Sequence, residues 1–288
     1  MKNKILILTP VYKDWNNLNK LLKKINSIFL NEINTNFDLI VVDDFSNEKI
    51  KINKFKRSKV KRIKLIKLAK NLGSQRAIAL GLKYIKNYYK KNYYVLIIDS
   101  DGQDKPSGIL SMYKKISKGA HHSIVARRGQ RKEVFWFRFF YEIYYNTIKI
   151  LSFKKIRYGN FSFLNHKDVN LIVKDANLWN AYPPTLEKNL KNIDYITIDR
   201  EKRISGNSKM NFFGLVYHAL RVFSVLKIRI FFSSIFYLII ANFLLNETFL
   251  FKIIFVAFLI INLSNFILSL NSKKKFKDNF NKIKIITY

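Results

Sequence analysis

Two long apolar segments near the end of the chain constrain its fold more than any other feature. They cover residues 228–245 and 249–270, and each is close to the roughly 20 residues with which an α-helix crosses a lipid bilayer. Only Asn246, Glu247 and Thr248 separate them, so we expect a hairpin of two transmembrane helices. A buried pair of helices in a soluble protein is the weaker alternative, because little chain remains to cover both.

Basic residues flank this hairpin at both outer ends. Lys227 and Arg229 stand at its start. Four lysines follow its second segment: Lys273, Lys274, Lys275 and Lys277. Because loops rich in Lys and Arg stay in the cytoplasm, both ends of the hairpin are predicted to be cytoplasmic. The N-terminal sequence MKNKILILTP has too short an apolar run for a signal peptide. We therefore expect a multi-pass protein of a bacterial inner membrane, or its equivalent, with both termini and the large N-terminal part in the cytoplasm.

The composition is strongly basic, with 53 Lys and Arg residues against 19 Asp and Glu and a formal net charge of +34. Such an excess favours a polyanionic partner, whether nucleic acid, an anionic membrane surface or a phosphorylated substrate. General enrichment in Lys, Asn and Ile accounts for part of it. The sequence has no cysteine, which excludes disulfides and thiolate metal sites. The four histidines show no metal-ligand spacing and are interpreted as structural.

The first half of the chain alternates between short apolar runs and amphipathic segments. Five runs are predicted to be strands: residues 5–8, 39–42, 63–68, 93–98 and 123–126. Three segments between them are predicted to be helices: residues 15–29, 75–89 and 107–116. This alternation is typical of an α/β fold whose mainly parallel sheet is covered by helices on both faces. Ligands of such sheets bind at the carboxyl ends of the strands.

Carboxylates stand at the end of the fourth run, in the sequence IIDSDGQDKP. Asp99 and Asp101 follow the apolar residues, and oxygen ligands of this kind suit Mg²⁺ or Mn²⁺. An EF-hand is excluded, because its sixth and twelfth positions would be Asp104 and Leu110 instead of Gly and Glu. The sequence has no phosphate-binding loop of the G-x-x-x-x-G-K-[ST] type. Solvated acids in a turn remain the alternative, and Asp104 is expected to be mainly structural.

Two further strand ends carry polar residues. Asp43 and Asp44 end the second run, where a carboxylate can accept hydrogen bonds from a ribose or a base. Pro10 and Tyr12 end the first run, where they can wall a nucleotide base. Together the three strand ends predict a pocket for a nucleoside diphosphate, with a metal ion that neutralises the diphosphate.

Two aromatic amphipathic segments, residues 133–153 and 209–226, lie between the predicted sheet and the hairpin. Both suit helices that lie in a membrane interface. Both equally suit helices that pack on the core, so the sequence leaves this choice open.

Seven motifs follow one another along the chain: TPVYKD, VVDDFSNE, LAKNLGSQRAIALGL, IDSDGQDKP, VARRGQR, YGNFSFLNHKDV and DREKRISGNSKMNF. In this order they resemble family 2 glycosyltransferases over about residues 4–230. The resemblance is closest to the branch of dolichol-phosphate mannosyltransferase and bacterial polyprenyl-phosphate glycosyltransferases. It implies a GT-A (Rossmann-like) fold, a nucleotide-sugar donor, a divalent cation (Mg²⁺ or Mn²⁺) and inversion at the sugar carbon. Members of this family often associate, so a homo-oligomer is among the expected assemblies.

The same resemblance implies roles for individual residues. The implied metal ligands are Asp99, Asp101 and Gln103. The implied nucleotide-sugar contacts are Pro10, Tyr12, Asp43, Asp44, Asn71, Gly73, Arg76 and Asp99. The implied contacts of an acceptor phosphate are Arg128, Arg131, Arg203, Ser208 and Lys209. The implied catalytic residues are Asp99, Asp101, Arg128 and Arg131.

The resemblance also divides the chain into four parts. These are a GT-A glycosyltransferase domain (1–208), an amphipathic interface helix (209–227), two transmembrane helices (228–270) and a basic cytoplasmic tail (271–288). The chain departs from the family pattern at Lys13-Asp14, Phe45 and Lys105-Pro106. These departures affect the identity of donor and acceptor more than the class of reaction.

The favoured hypothesis is metal-dependent transfer of a hexose from a nucleotide sugar to a polyprenyl phosphate at the membrane. A phosphate acceptor is already ionised near neutral pH and needs no strong base, and the matching place, Gly159-Asn160-Phe161, carries no acid. Transfer to a hydroxyl of a glycan or glycolipid in cell-surface polysaccharide synthesis is the alternative, and it would need a base such as Asp175 or Glu187. A non-enzymatic basic protein that binds lipid or nucleic acid gives the acids no role, so no nucleic-acid partner is expected.

Overall fold

The structure is a computed structural model that describes residues 4–48, 58–118, 122–129, 135–201, 204, 212–245 and 248–287. In these residues eight strands form one sheet: β1 Lys4–Val11, β2 Phe37–Asp43, β3 Val60–Lys67, β4 Tyr93–Ile97, β5 Ser123–Arg128, β6 Tyr158–Asn165, β7 Ile193–Ile198 and β8 Lys284–Thr287. Their order across the sheet is β7-β5-β6-β4-β1-β2-β3-β8. β1, β2, β3 and β4 run parallel, β5 and β7 form a second parallel pair, and β6 and β8 run antiparallel to their neighbours.

This mixed sheet confirms the predicted α/β fold, and the five predicted strands are present as β1 to β5. The sequence did not predict β6, β7 and β8. β6 buries the polar residues Asn160 and Ser162, so it lacks the continuous apolar run that marks the central strands. β8 is exposed along its whole length, so no hydrophobic pattern marks it either.

Helices cover both faces of the sheet. They are α1 Trp15–Ile28, α2 Ser74–Tyr88, α3 Ser107–Ser117, α4 Phe135–Ser152, α5 His166–Ile172 and α6 Tyr182–Asn189, with a π-helical turn at Phe29–Ile33 and a 3-10 turn at Ala176–Trp179. Alternate residues of the central strands point to opposite faces. Leu8 and Val42 belong to the core under α2, whereas Ile7 and Val41 belong to the core under α1 and α3. Burial on both faces explains why these strands are apolar throughout.

Four helices form the C-terminal part: α7 Phe212–Val225, α8 Lys227–Leu245, α9 Phe249–Leu270 and α10 Ser272–Asn281. α8 and α9 are long and apolar enough to cross a membrane, and they leave large side chains such as Phe243 (87% exposed) and Phe249 (79%) uncovered. The aromatic helix α4 packs beside α8, where the Ser233 hydroxyl donates to the Leu151 carbonyl over 2.6 Å. α4 therefore joins the hairpin to the α/β part.

The chain after the hairpin returns to the sheet, although the sequence predicted only a basic tail there. Phe276 of α10 is 5% exposed and packs against Trp179, with 5.8 Å between the ring centroids. The Lys83 ammonium lies 4.8 Å from the Phe276 ring. β8 then pairs with β3, so that Lys64 faces Thr287. The two ends of the hairpin thus lie on the same side of it, next to the α/β part.

Candidate active site

The carboxyl ends of three central strands meet at one edge of the sheet. Val11 at the end of β1 is paired with Asp43 of β2, and Leu8 is paired with Ile97 near the end of β4. The three polar strand ends predicted from the sequence are therefore neighbours, as expected for parallel strands.

Asp43 organises the first of these strand ends. Its carboxylate accepts the Ser46 backbone N–H over 3.0 Å, and the Ser46 hydroxyl accepts the Lys13 backbone N–H over 2.9 Å. Pro10 is buried and Tyr12 is half-buried, with the Lys13 ammonium 5.5 Å from the Tyr12 ring. These contacts fix the loop after β1 against the loop after β2.

Asp44 shapes the segment before α2. Its two carboxylate oxygens accept the backbone N–H groups of Leu72 (2.6 Å) and Gly73 (2.7 Å). Gly73 has φ +86°, a conformation that favours glycine. Burial raises the pKa of Asp44 to about 6, although the two N–H groups and the Arg76 guanidinium oppose the shift. The neighbouring Asn71 side chain is exposed at this edge.

Asp99 lies at the end of β4 and is held by an amide. The Asn160 side chain donates to both of its oxygens, over 2.9 and 3.3 Å. The Arg200 guanidinium lies 4.0 Å from Asp99 and 3.4 Å from Asp104. Burial raises the pKa of Asp99 to about 7, and the negative charges of Asp104 and Asp101 add to this shift. Asp104 is buried beside Arg200, and its structural role stays a prediction.

The loop after Asp99 is folded tightly. The Asp101 carboxylate accepts the Gln103 backbone N–H over 3.0 Å, and Gly102 has φ +73°. A Cβ atom at Gly102 would collide with the Ile204 side chain. The Gln103 carbonyl accepts the Glu201 backbone N–H over 2.8 Å. The chain after β7 therefore covers this acidic loop and fixes its shape.

This loop has the donor chemistry that a divalent cation needs. Asp99, Asp101 and Gln103 all offer hard oxygen ligands. Burial and, after it, the repulsion of Asp104 and Asp101 raise the pKa of Asp99, and a cation would relieve that repulsion. Within the described ranges, no three His, Asp or Glu side chains form a ready-made cage for a metal ion. A cation here would therefore take part of its coordination from a bound diphosphate, as Mg²⁺ commonly does.

A chain of buried amides supports Asp99, and sequence reasoning missed it. The Tyr182 backbone N–H donates to the Gln75 side chain (2.7 Å), and Gln75 donates to Asn160 (2.8 Å), which holds Asp99. Gln75 and Asn160 both lie inside motifs that carry the family resemblance. Their position in these motifs was the sequence signal that could have identified them. No local sequence pattern indicates that they touch.

Arg200 is a second residue that sequence reasoning missed. Its guanidinium lies between Asp99 and Asp104, and it lines a small cleft together with Asn160 and Arg127. Arg200 follows the end of β7 at Ile198, so it too stands at a strand end. Arg200 lies inside the motif DREKRISGNSKMNF, but its place at a strand end could not be predicted because β7 itself was not predicted.

Most of the predicted acceptor residues lie outside the described residues. These are Arg131, Arg203, Ser208 and Lys209. The backbone of Arg128 ends β5, and its side chain is not described. Arg76 is described, and its guanidinium lies 5.2 Å from the Trp179 ring. The acceptor assignments therefore stay predictions.

Comparison with known proteins finds relatives that align with most of the chain. The sequence is 26% identical over 247 residues to the uncharacterized glycosyltransferase sll0501 of Synechocystis, covering 80% of this chain and 72% of that protein. It is 23% identical over 215 residues to the uncharacterized glycosyltransferase YkcC of Bacillus subtilis, covering 70% of this chain. That second match spans 62% of the Bacillus protein, which is less than two thirds of its length.

Solved structures share the fold. Glucosyl-3-phosphoglycerate synthase from Mycobacterium tuberculosis, in complex with Mn²⁺, UDP and glucosyl-3-phosphoglycerate, superposes with a TM-score of 0.53 at 13% identity. The match covers 79% of this chain and 80% of that one. The sequence profile of Glycosyl transferase family 2 matches residues 6–170, which is more than half of the chain. The chain therefore belongs to glycosyl transferase family 2, and is an enzyme with a GT-A-like fold that transfers a sugar from a nucleotide sugar.

Proposed function

We propose that this glycosyltransferase moves a hexose from a nucleoside diphosphate sugar to the phosphate of a polyprenyl lipid at a membrane surface. One observation carries the proposal. The α/β part that bears the acidic strand ends is joined through α4 and α10 to an uncovered apolar hairpin. An acceptor embedded in the membrane would therefore reach the enzyme close to the donor site.

The donor would bind at the carboxyl edge of β1, β2 and β4. A divalent cation held by Asp99, Asp101 and Gln103 would neutralise the diphosphate as it leaves. The Mn²⁺ and UDP in the related mycobacterial structure support a cation in this role. Asn160 holds Asp99 towards the site, and Asp44 shapes the loop that contains Asn71 and Gly73.

In the reaction, an oxygen of the lipid phosphate attacks the anomeric carbon of the sugar. The bond from that carbon to the diphosphate breaks, and the configuration inverts. A phosphate oxygen already carries negative charge near neutral pH, so no side chain has to remove a proton. The amide of Asn160 beside Asp99 agrees with this, because it can hold a carboxylate but cannot act as a base.

Transfer to a hydroxyl would need a base, and the two carboxylates named for that role, Asp175 and Glu187, are engaged elsewhere. Asp175 bonds Lys188 (2.8 Å) and Asn189 (2.9 Å), and its oxygen also accepts the Asn177 backbone N–H. Glu187 accepts the Tyr158 hydroxyl over 3.0 Å. Both acids stabilise the fold around α6, which favours a phosphate acceptor over a hydroxyl acceptor.

We also propose a cellular location for the protein and the boundaries of its parts. The GT-A domain (1–208), the interface helix (209–227) and the hairpin (228–270) keep their predicted ranges. Residues 271–288 are cytoplasmic and contribute α10 and β8 to the α/β part. The partners are the nucleotide sugar, the lipid phosphate, the membrane and further copies of the chain, without nucleic acid.

A donor and acceptor screen tests the proposal. The full chain in membranes is supplied with UDP- and GDP-sugars, Mn²⁺ or Mg²⁺, and either a polyprenyl phosphate or the same polyprenol without phosphate. We expect product only with the phosphate, with inverted configuration and with complete loss on chelation of the metal. Product from the free polyprenol, or transfer only to a glycan hydroxyl, would contradict the proposal.

A further inference from the structure

Two arginines near the candidate active site have no ion-pair partner among the described residues. Arg76 stands near the start of α2, and Arg221 stands in α7, directly before the first apolar span. Arg221 is 7% exposed. Among the described residues, neither guanidinium forms an ion pair with a carboxylate, and the Nε–H of each is buried without a hydrogen-bond partner.

Trp179 brings the two arginines together. The Arg76 guanidinium lies 5.2 Å from its ring, and Arg221 donates to its carbonyl over 3.0 Å. The indole N–H of Trp179 is also buried without a partner. The two guanidinium Nε–H groups and the indole N–H thus lack a hydrogen-bond partner around this 2%-exposed tryptophan.

This arrangement is costly for the protein alone. Burial lowers the pKa of Arg221, and the positive charge of Arg76 lowers it further. Buried charges in proteins are nearly always paired, and two like charges side by side raise the cost. The carboxylate of Asp44 interacts electrostatically with Arg76, but its oxygens already accept the backbone N–H groups of Leu72 and Gly73. An anion between the arginines would remove the cost.

We propose that Arg76 and Arg221 bind the phosphate monoester of the acceptor lipid, with the Trp179 indole N–H as a third donor. Guanidinium groups match the geometry of phosphate oxygens and bind them through paired hydrogen bonds. α7 leads directly into the membrane span, so Arg221 lies where a lipid headgroup would lie. Arg76 lies beside the Asp44 loop, so the same phosphate would face the donor. This inference rests on the proposed function. It assigns Arg76 to the acceptor phosphate, whereas the family resemblance implied a contact with the nucleotide sugar.

Ligand binding without donor or metal tests this site separately from catalysis. The purified full chain in detergent is titrated with farnesyl phosphate, phosphatidylglycerol or inorganic phosphate, and its melting temperature and Kd are measured. Arg221→Met and Arg76→Met remove one charge each at nearly constant size. Arg229→Gln removes an exposed charge from the first turn of α8, eight positions after Arg221, and serves as the matched control.

We expect farnesyl phosphate to raise the melting temperature of the wild type and of Arg229→Gln, because a ligand stabilises the state that binds it. Binding by Arg221→Met and Arg76→Met should be weaker by about tenfold or more, as expected for a lost hydrogen bond to a charged group. Without ligand, Arg221→Met should melt close to the wild type, because removal of an unpaired buried charge offsets the loss of the hydrogen bond to the Trp179 carbonyl.

Binding of farnesyl phosphate by both variants as tightly as by the wild type would overturn the site. Equal binding of phosphatidylglycerol would show a general site for anionic lipids, and equal binding of inorganic phosphate would show a site for the free anion. Either result overturns the assignment to a lipid monoester. If both variants retain binding while the wild type glycosylates polyprenyl phosphate, only this site fails. If Arg221 is needed for binding but no lipid phosphate is glycosylated, the site stands and the proposed function fails.

Discussion

Asp44 and Asp99 are both buried acids at strand ends, but their hydrogen bonds give them different tasks. Asp44 is bonded to two backbone N–H groups, so it shapes a loop. Asp99 is held by the side chain of Asn160 and lies among other acids. The sequence predicted both positions from the ends of apolar runs. It did not reveal the amide contacts, because Gln75 and Asn160 are 85 positions apart and leave no local pattern.

Asn160→Ala tests whether this amide positions Asp99. We expect the transfer rate and the apparent affinity for Mn²⁺ each to fall by roughly 10–100-fold, as for the loss of other groups that orient metal ligands. The measurement is the rate as a function of Mn²⁺ concentration. Asn31→Ala, at an exposed site, is the control. A lower melting temperature with unchanged Mn²⁺ dependence would mean that Asn160 is only structural.

The raised pKa of Asp44 predicts a pH dependence of stability. The folded pKa of about 6 lies above the ordinary 3.8, so the folded state holds this proton more tightly than the unfolded state. The stabilisation of the folded state by this bound proton is complete below about pH 4. It amounts to roughly 3 kcal/mol and is lost as the pH rises through about 6.

Unfolding of the wild type and of Asp44→Asn in detergent, measured from pH 4 to 7, checks this contribution. The difference in unfolding free energy between the two proteins should shift against the wild type as the pH rises. A difference that stays constant over this range would contradict the predicted titration.

At the scale of elements, hydrophobic periodicity predicted the strands and helices that carry a continuous apolar or amphipathic run. It missed elements without such a run, including the largely buried β6. β1 and β2, which are buried except for Lys4, are marked by continuous apolar runs. β8 and most of α10 are polar or exposed, so their place on the sheet follows from tertiary contacts alone. The apolar contacts of α10 come from the buried Phe276 and the partly buried Phe280, two aromatic residues in a lysine-rich helix.

Phe276→Ala tests how firmly α10 is attached. Removing a buried Phe side chain typically costs 3–5 kcal/mol, so we expect a clearly lower melting temperature and faster proteolysis after residue 270. Lys274→Ala, exposed on the same helix, should change neither. Equal protease resistance of Phe276→Ala and the wild type would show that β8 and the other contacts of α10, such as those of Ser272 and Phe280, hold the C-terminal segment without Phe276.

At the scale of the whole molecule, the sheet and the hairpin constrain each other. β8 comes after both apolar spans and pairs with β3, which precedes them. A chain that crosses a membrane between β3 and β8 must therefore cross it an even number of times. The basic residues at both outer ends of the hairpin point to the same conclusion by an independent rule. The sequence predicted the hairpin, but only the pairing of β8 ties both of its ends to the domain with the active site.

The absence of cysteine from the sequence allows this topology to be tested directly. Single cysteines are introduced as Thr248→Cys at the turn of the hairpin, Lys91→Cys on the α/β part and Lys284→Cys in β8. A maleimide that cannot cross membranes should label Thr248→Cys in intact cells. It should label the other two only after lysis, because the pairing of β8 with β3 places both on one side of the membrane, and the proposed side is cytoplasmic. Labelling of Lys284→Cys from outside, with Lys91→Cys protected, would mean that β8 does not pair with β3 in the membrane. Labelling of all three only after lysis would mean that the apolar hairpin does not cross the bilayer.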